Sequence, residues 1–245
     1  MSQYAEQIGF AAGTLIGTRI DTANNTPTRF GILQDVQLDF SADLKELYGQ
    51  NRYAIALAPG KTKVEIKAKF AGIRGRLFND LYFGSTSTVT ETLMADGESG
   101  TVTTGAVTVS QSAHFLADLG VTYQATGLPL TKVASAPAVG QYAVSAGVYT
   151  FNTSDNGLVV LISYTYSTSS GIQIPIPNIR MGVGPSFSVV LSQPFDGRAQ
   201  TYTFNQCQAG KLSLPTKQDD FQINEMDFQV AADISGNIGT INVAL

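Results

Sequence analysis

Lys61-Thr-Lys-Val-Glu-Ile-Lys-Ala-Lys-Phe-Ala71 decides the class of this chain. Thr62, Val64, Ile66, Ala68 and Phe70 take the even positions, and Lys61, Lys63, Glu65, Lys67 and Lys69 the odd ones. Successive side chains of a strand point to opposite faces, so the stretch predicts a strand with one dry and one charged face. Gly72 breaks the alternation. Ile73, Leu77 and Leu81 then recur every four residues with Phe78 and Tyr82 beside them, while Arg74, Arg76, Asn79 and Asp80 fill the other side. This spacing predicts about three turns of amphipathic helix, stopped at Gly84.

The rest of the composition agrees with a β-rich chain. In 245 residues, 43% are apolar and only 14% charged, with 24 Gly, 9 Pro and no Trp. Thr, Ser, Gly, Val and Tyr stand where a helical protein carries Lys, Glu and Leu. The length fits one large domain or two small ones. The net charge of −4 gives no global nucleic-acid footprint. Cys207 is the single cysteine, so no internal disulfide and no cysteine metal spacing exist. The start Met-Ser-Gln-Tyr-Ala-Glu lacks a basic, then apolar, signal pattern. The longest apolar run, Leu158 to Ile162, is too short to span a bilayer. A soluble protein made in the cytoplasm is expected, without membrane partners. Low charge on a β-rich chain implies that much of its surface is covered by a partner.

Working towards the N-terminus, residues 30–40 alternate again. Val36, Leu38 and Phe40 share one face, and Asp35, Gln37 and Asp39 the other. Residues 41–60 do not alternate: a turn capped by Ser41, an exposed loop over 48–52 and a brief strand over 53–57, ended by Ala58-Pro59-Gly60, are expected. So long a connection between strands is more often functional than idle. Residues 1–29 read as an arm with one short strand, ending in the turn signal Asn24-Asn25-Thr26-Pro27.

Working towards the C-terminus, the composition shifts near Ser85. Residues 88–170 carry a net charge of −4, against +2 before and −2 after, and Lys132 is their one basic residue. Turn signals recur about every 8–12 residues, among them Ala95-Asp96-Gly97 and Asp118-Leu119-Gly120. This predicts a small antiparallel, Ig-like β-sandwich inserted into a discontinuous domain of residues 1–87 and 171–245. In the final block Ser186–Leu191, Thr201–Cys207 and Phe221–Ala231 are expected strands. The apolar register slips near Asn224-Glu225, which predicts a bulge there. The last eleven residues give a final short strand.

No catalytic constellation stands out. His114 is the only histidine and lacks local triad partners. Cys207 alternates with polar neighbours, as a small packing thiol does. Gly182-Val-Gly184 runs into Pro185, not into a helix, so a dinucleotide fingerprint fails. Gly72-Ile-Arg-Gly75 could meet phosphate at a helix start, but a tight strand-to-helix turn accounts for it. Asp219-Asp220 reads as a solvated turn. The Lys61, Lys63, Lys67 and Lys69 stripe could bind nucleic acid. Asp35 and Asp39 on a neighbouring strand make cross-strand or intersubunit charge pairing the commoner reason. No enzyme, cofactor or metal site is expected.

Three segments carry a family resemblance: Lys45-Glu-Leu-Tyr-Gly-Gln-Asn-Arg-Tyr-Ala-Ile-Ala-Leu-Ala58, Lys63-Val-Glu-Ile-Lys-Ala-Lys-Phe-Ala-Gly-Ile-Arg-Gly75 and Phe78-Asn-Asp-Leu-Tyr-Phe-Gly84. They resemble the tail tube (major tail) proteins of tailed bacteriophages. Gly120-Val-Thr-Tyr123, Leu130-Thr-Lys-Val-Ala-Ser135, Gln141-Tyr-Ala-Val144 and Leu161-Ile-Ser-Tyr-Thr-Tyr166 resemble a domain inserted in some of them. The resemblance implies a mainly β fold, a tail-tube β-sandwich or barrel core with one flanking helix. It also implies six-membered rings that stack into a tube around a DNA channel. Residues 41–60 would match the loop that reaches between rings, with Glu46, Tyr48, Gln50, Arg52 and Tyr53 as stacking candidates.

Implied partners are copies of the chain itself, other tail proteins such as tape measure and terminator, and genomic DNA in passage. The location would be the virion tail, assembled in the host cytoplasm. An outer insert would obstruct a sheath, so a non-contractile tail is expected. A channel wall should not hold phosphates, which places Asp35, Gln37, Asp39, Asp227 and Gln229 as lumen candidates, with solvated or interface carboxylates as the other reading. The alternative function is a capsid decoration protein or a host- or carbohydrate-binding module, since Tyr faces of the middle block suit sugar stacking.

Overall fold

The computed structural model describes residues 11–23, 26–72, 74–195 and 198–243. The fold is mainly β. In chain order the strands begin with β1 (Thr14–Arg19), β2 (Thr28–Arg29), β3 (Ile32–Tyr48) and β4 (Ala54–Ala71). A helical segment follows, α over Gly75–Phe78 and π over Asn79–Phe83. Next come β5 (Glu91–Thr101), β6 (Ala106–Thr108), β7 (Phe115–Tyr123), β8 (Thr131–Lys132), β9 (Gln141–Ser145), β10 (Val148–Phe151) and β11 (Val159–Thr168). The chain ends with β12 (Ser186–Phe195), β13 (Arg198–Ser213), β14 (Ile223–Ala231) and β15 (Gly239–Asn242). Two compact units result, one of residues up to Thr86 and from Ile174, the other Ser87–Gln173. Their joints fall within three residues of the expected positions after 87 and before 171.

The larger unit is one sheet in the order β2-β1-β12-β13-β14-β4-β3, with β15 also paired to β13. It curls on itself. Phe30 follows β2, at one end of that order, yet its ring lies 5.3 Å from Phe70 of β4, near the other end. The concave side holds one apolar cluster, to which β4 gives Val64, Ile66, Ala68 and Phe70, as its alternation requires. Leu15, Phe187, Val189, Leu191, Phe204, Met226 and Phe228 supply the other strands' share. Leu77, Phe78 and Leu81 of the helical segment pack into the same cluster. Close approach explains Gly17: a β-carbon there would sit 2.6 Å from a Leu81 methyl. Gly84 stops the helix in the left-handed region (φ 67°), its N–H donating to the Asn79 carbonyl.

Several expectations need correction. The helix is shorter than three turns, and Ile73 lies outside the described residues. The N-terminal arm holds two strands, β1 and β2, and Leu15 is buried in the core. Residues 1–10 and Asn24-Asn25 lie outside the described residues. No bulge occurs at Asn224-Glu225, because β14 pairs β4 in unbroken register from Ile223 to Gln229. Asn224 instead occupies a core-facing position in line with Met226 and Phe228. It is buried because its amide donates to the Gly72 carbonyl (3.2 Å) and its oxygen accepts from Gln222 (2.9 Å).

The smaller unit is a two-layer sandwich, sheet β6-β10-β9-β8 over sheet β5-β11-β7. Residues of both layers, among them Val121, Tyr142, Tyr149, Phe151, Val160, Ile162 and Tyr164, share one core. All pairings are antiparallel except β8 with β9, which is parallel. The expected turns at 95–97 and 118–120 are bulges inside β5 and β7. They lie on either side of Ser163 in the central strand, where both registers shift.

The β7 bulge turns Asp118 inwards. Its carboxylate accepts from Tyr142 (2.8 Å), Tyr149 (3.0 Å) and the Gly120 N–H (3.1 Å), and pairs with Lys132 at 3.0 Å. Burial raises its pKa, but these partners outweigh burial and hold the carboxyl below the usual range. Asp118→Asn keeps the shape and loses the charge. The expected cost is about 2–4 kcal/mol at pH 7 by denaturant unfolding. A lowered folded-state pKa means that the carboxylate's contribution is full above about pH 4 and fades as pH falls through the folded value. The gap between wild type and variant should therefore shrink only below about pH 4.

Candidate functional site: a charged sheet face and a projecting hairpin

The side of the large sheet opposite its core carries charge in rows. Asp35 on β3, Lys69 on β4, Glu225 on β14 and Ser213 on β13 stand in register. The next row is Gln37, Lys67, Asp227 and Lys211, and the third Asp39, Glu65, Gln229 and Gln208. Period-two alternation on neighbouring antiparallel strands puts these side chains on one face. Ion pairs link Lys69 with Asp35 (3.8 Å), Lys63 with Glu65, and Lys211 with Glu225 (2.6 Å) and Asp227 (3.8 Å). Asp39 and Glu65 face each other as like charges. Gln37 donates to both Asp39 oxygens at 3.0 Å and Gln229 to Glu65 at 3.3 Å, which spreads the negative charge.

The five carboxylates Asp35, Asp39, Glu65, Glu225 and Asp227 stand against the four ammonium groups of Lys63, Lys67, Lys69 and Lys211. Such a wall is polar and near neutral, and Lys63, Lys69 and Lys211 are ion-paired within it. Lys211 holds the Glu225 carboxyl below its usual range. The structure thus gathers the lumen candidates Asp35, Gln37, Asp39, Asp227 and Gln229 with Lys63, Lys67 and Lys69 on adjacent strands. Sequence reasoning missed Lys211 and Glu225. The register shift at Gly210 puts Lys211 out of phase with the core-facing Cys207 and Ala209 that precede it.

The second feature is a correction to residues 41–60. Ser41 caps no turn, because β3 runs on through it to Tyr48, and the exposed loop expected over 48–52 is only the tip. Residues 41–60 form the distal half of the β3–β4 hairpin, paired from Ser41↔Lys63 to Tyr48↔Ala54, with the tip at 49–53. Between Ala42↔Thr62 and Leu44↔Pro59 the register shifts, which places Gly60 and Lys61 in a bulge. Beyond it both strands leave the core, and Leu44, Leu47, Tyr48, Ile55 and Leu57 are exposed. Glu46 and Tyr48 lie in β3, where the Tyr48 hydroxyl donates to the Glu46 carboxylate. Gln50, Arg52 and Tyr53 lie at the tip, and Tyr53 is 82% exposed. Lys61 is exposed in the bulge, without an ion pair among the described residues. On its outer side β3 pairs with no strand among the described residues, so its edge is a row of free backbone donors and acceptors.

Among the described residues no group of three or more His, Cys, Asp or Glu side chains could hold a metal. The Cys207 thiol is buried in the core, and burial pushes its pKa up to about 12, so it stays protonated. His114 is exposed at the end of a short 3-10 turn. Among the described residues no helix is long and apolar enough to cross a membrane. Compared with known proteins, the chain matches no protein-family model and no curated protein.

Proposed function

We propose that this chain is the structural subunit of a phage tail tube, a virion protein without catalytic activity. Its copies would close into rings, six to a ring by the family resemblance, and the rings would stack into a channel for DNA. The observation that carries this reading is the four-strand charged face on β3, β4, β14 and β13, backed by an apolar core. DNA must slide past such a wall, and every phosphate held by an unpaired Lys or Arg adds binding through counterion release. A face whose lysines mostly already have carboxylate partners keeps that binding low. Two further features favour rings that stack. The free edge of β3 needs a partner strand, and closing a ring supplies one without leaving another edge open. The exposed apolar arm needs burial, and a second contact along the axis supplies it. In the virion, tape measure and terminator proteins would be the neighbours of the tube, and assembly would take place in the host cytoplasm.

Negative-stain microscopy of the purified chain tests the reading. Rings or tubes with a central channel are expected, whereas dispersed globules at high concentration would overturn it.

The inserted sandwich is expected to lie outside the tube wall and to be dispensable for assembly. Its two ends are clasped: Thr88 and Gln173 exchange both backbone hydrogen bonds, at 3.1 and 3.0 Å. A short Gly/Ser link can therefore join residue 86 to residue 174. The excised chain should still fold and form tubes, of smaller outer diameter. Failure to fold would make the insert part of the core unit.

A further inference from the structure

We infer that a groove in the inserted sandwich binds a primary alkylammonium group, such as a lysine side chain or an aliphatic diamine. This inference does not depend on the tail-tube reading. The groove lies where β7 ends and β11 begins and has a volume of about 630 Å³, within the range of small-ligand sites. Leu128, Val139 and Leu158 wall it, and the first two are each 62% exposed. Asp155 is the one charged residue in its lining, and the residue is 1% exposed. Its Oδ1 accepts from the Tyr123 hydroxyl at 3.1 Å. Its Oδ2 is buried and has no hydrogen-bond partner among the described residues. Among the described residues no cation pairs with it: Lys132, the one basic residue of the block, is paired with Asp118.

A buried carboxylate oxygen without a donor is costly, so the site gains most from a ligand that brings a charged donor. Asp155 itself is out of water, which strengthens that attraction. The alternatives fit less well. A guanidinium seeks both carboxylate oxygens, and one is committed to Tyr123. A metal ion needs several oxygen ligands, and the lining holds one carboxylate. A sugar presents hydroxyls all round, most of which would meet Leu and Val and go unpaired. An ammonium on a hydrocarbon stem places its head at the floor formed by Asp155 and Tyr123 and its stem along Leu128, Val139 and Leu158.

The test compares n-pentylammonium with n-pentanol, equal in stem and different in charge, on the full chain by calorimetry and saturation-transfer NMR. The ammonium is expected to bind at least ~10-fold more tightly, about 1.4 kcal/mol. Asp155→Asn keeps an acceptor for Tyr123 and should abolish that preference, while Leu158→Ala should weaken both ligands alike. Cadaverine and N-acetyl-lysine amide separate the sources: tighter binding of the first assigns a free diamine, of the second a protein side chain. Equal affinity for alcohol and amine, or binding of neither, overturns the inference and leaves Oδ2 to an internal water. So does a preference that survives in Asp155→Asn. If that variant fails to fold, the wild-type comparison decides alone.

Discussion

Cutting the β3–β4 arm back to the Leu44↔Pro59 pair, with an Asn-Gly turn in place of residues 45–58, is expected to abolish polymerisation and leave the monomer folded. The arm lies beyond the core cluster, which ends at Val64 on β4, so its loss removes no buried side chain. Changes of that kind usually shift stability by no more than about 0.5 kcal/mol. Assembly is another matter. Leu44, Leu47, Tyr48, Ile55 and Leu57 stand exposed in the monomer, and burying one such side chain is worth about 1.5–3 kcal/mol. Losing even two of these burials raises the critical concentration by roughly 100-fold or more. Circular dichroism should report a folded β protein that has lost only the arm's own strand residues, and sedimentation should report only small species. Long tubes from this variant would remove the arm from the contact between rings.

Reversing charge on the sheet face should act on passage of DNA and not on folding. Asp35→Lys with Asp39→Lys turns five carboxylates against four ammonium groups into three against six, on strands whose buried sides are untouched. On the proposed assembly each ring would then present an excess of unpaired lysines to the genome. Ejection from virions carrying both changes should slow at least ~10-fold near 10 mM salt, where the Debye length is about 30 Å, and recover towards wild type as salt rises. Ejection at the normal rate in low salt would place these residues away from the channel.

How far the sequence reveals this arrangement depends on burial. Val64, Ile66, Ala68 and Phe70 alternate with charged neighbours because one face of β4 is dry, and there the reading and the structure agree. The same strand became unreadable below Thr62. Both faces of the arm are wet, so apolar residues are not confined to one of them, and the Gly60-Lys61 bulge shifts the phase. Pro59 and Gly60 look like a strand end, yet they sit in a hairpin long enough to absorb them. Asn224 misled in the opposite way. A polar residue in a core row mimics a register slip, and only its bonds to the Gly72 carbonyl and Gln222 reveal why it is tolerated. Asp118-Leu119-Gly120 has the composition of a turn, but β11 pairs on both sides of it, so the chain bulges and continues. As for the candidate site, alternation alone marks Asp35, Gln37 and Asp39. Lys211 joins their face only through three strand pairings that no local pattern encodes.

In the proposed tube the face bearing Asp35, Lys67 and Asp227 lines the channel of a closed ring. A cryo-electron microscopy reconstruction of tubes grown from the purified chain tests it most directly. The expected lumen is formed by β3, β4, β14 and β13 of each copy, with these charged side chains inward and the free edge of β3 paired to a neighbouring subunit. A tube with this face on its outer surface, or with the β3 edge left unpaired, would contradict it.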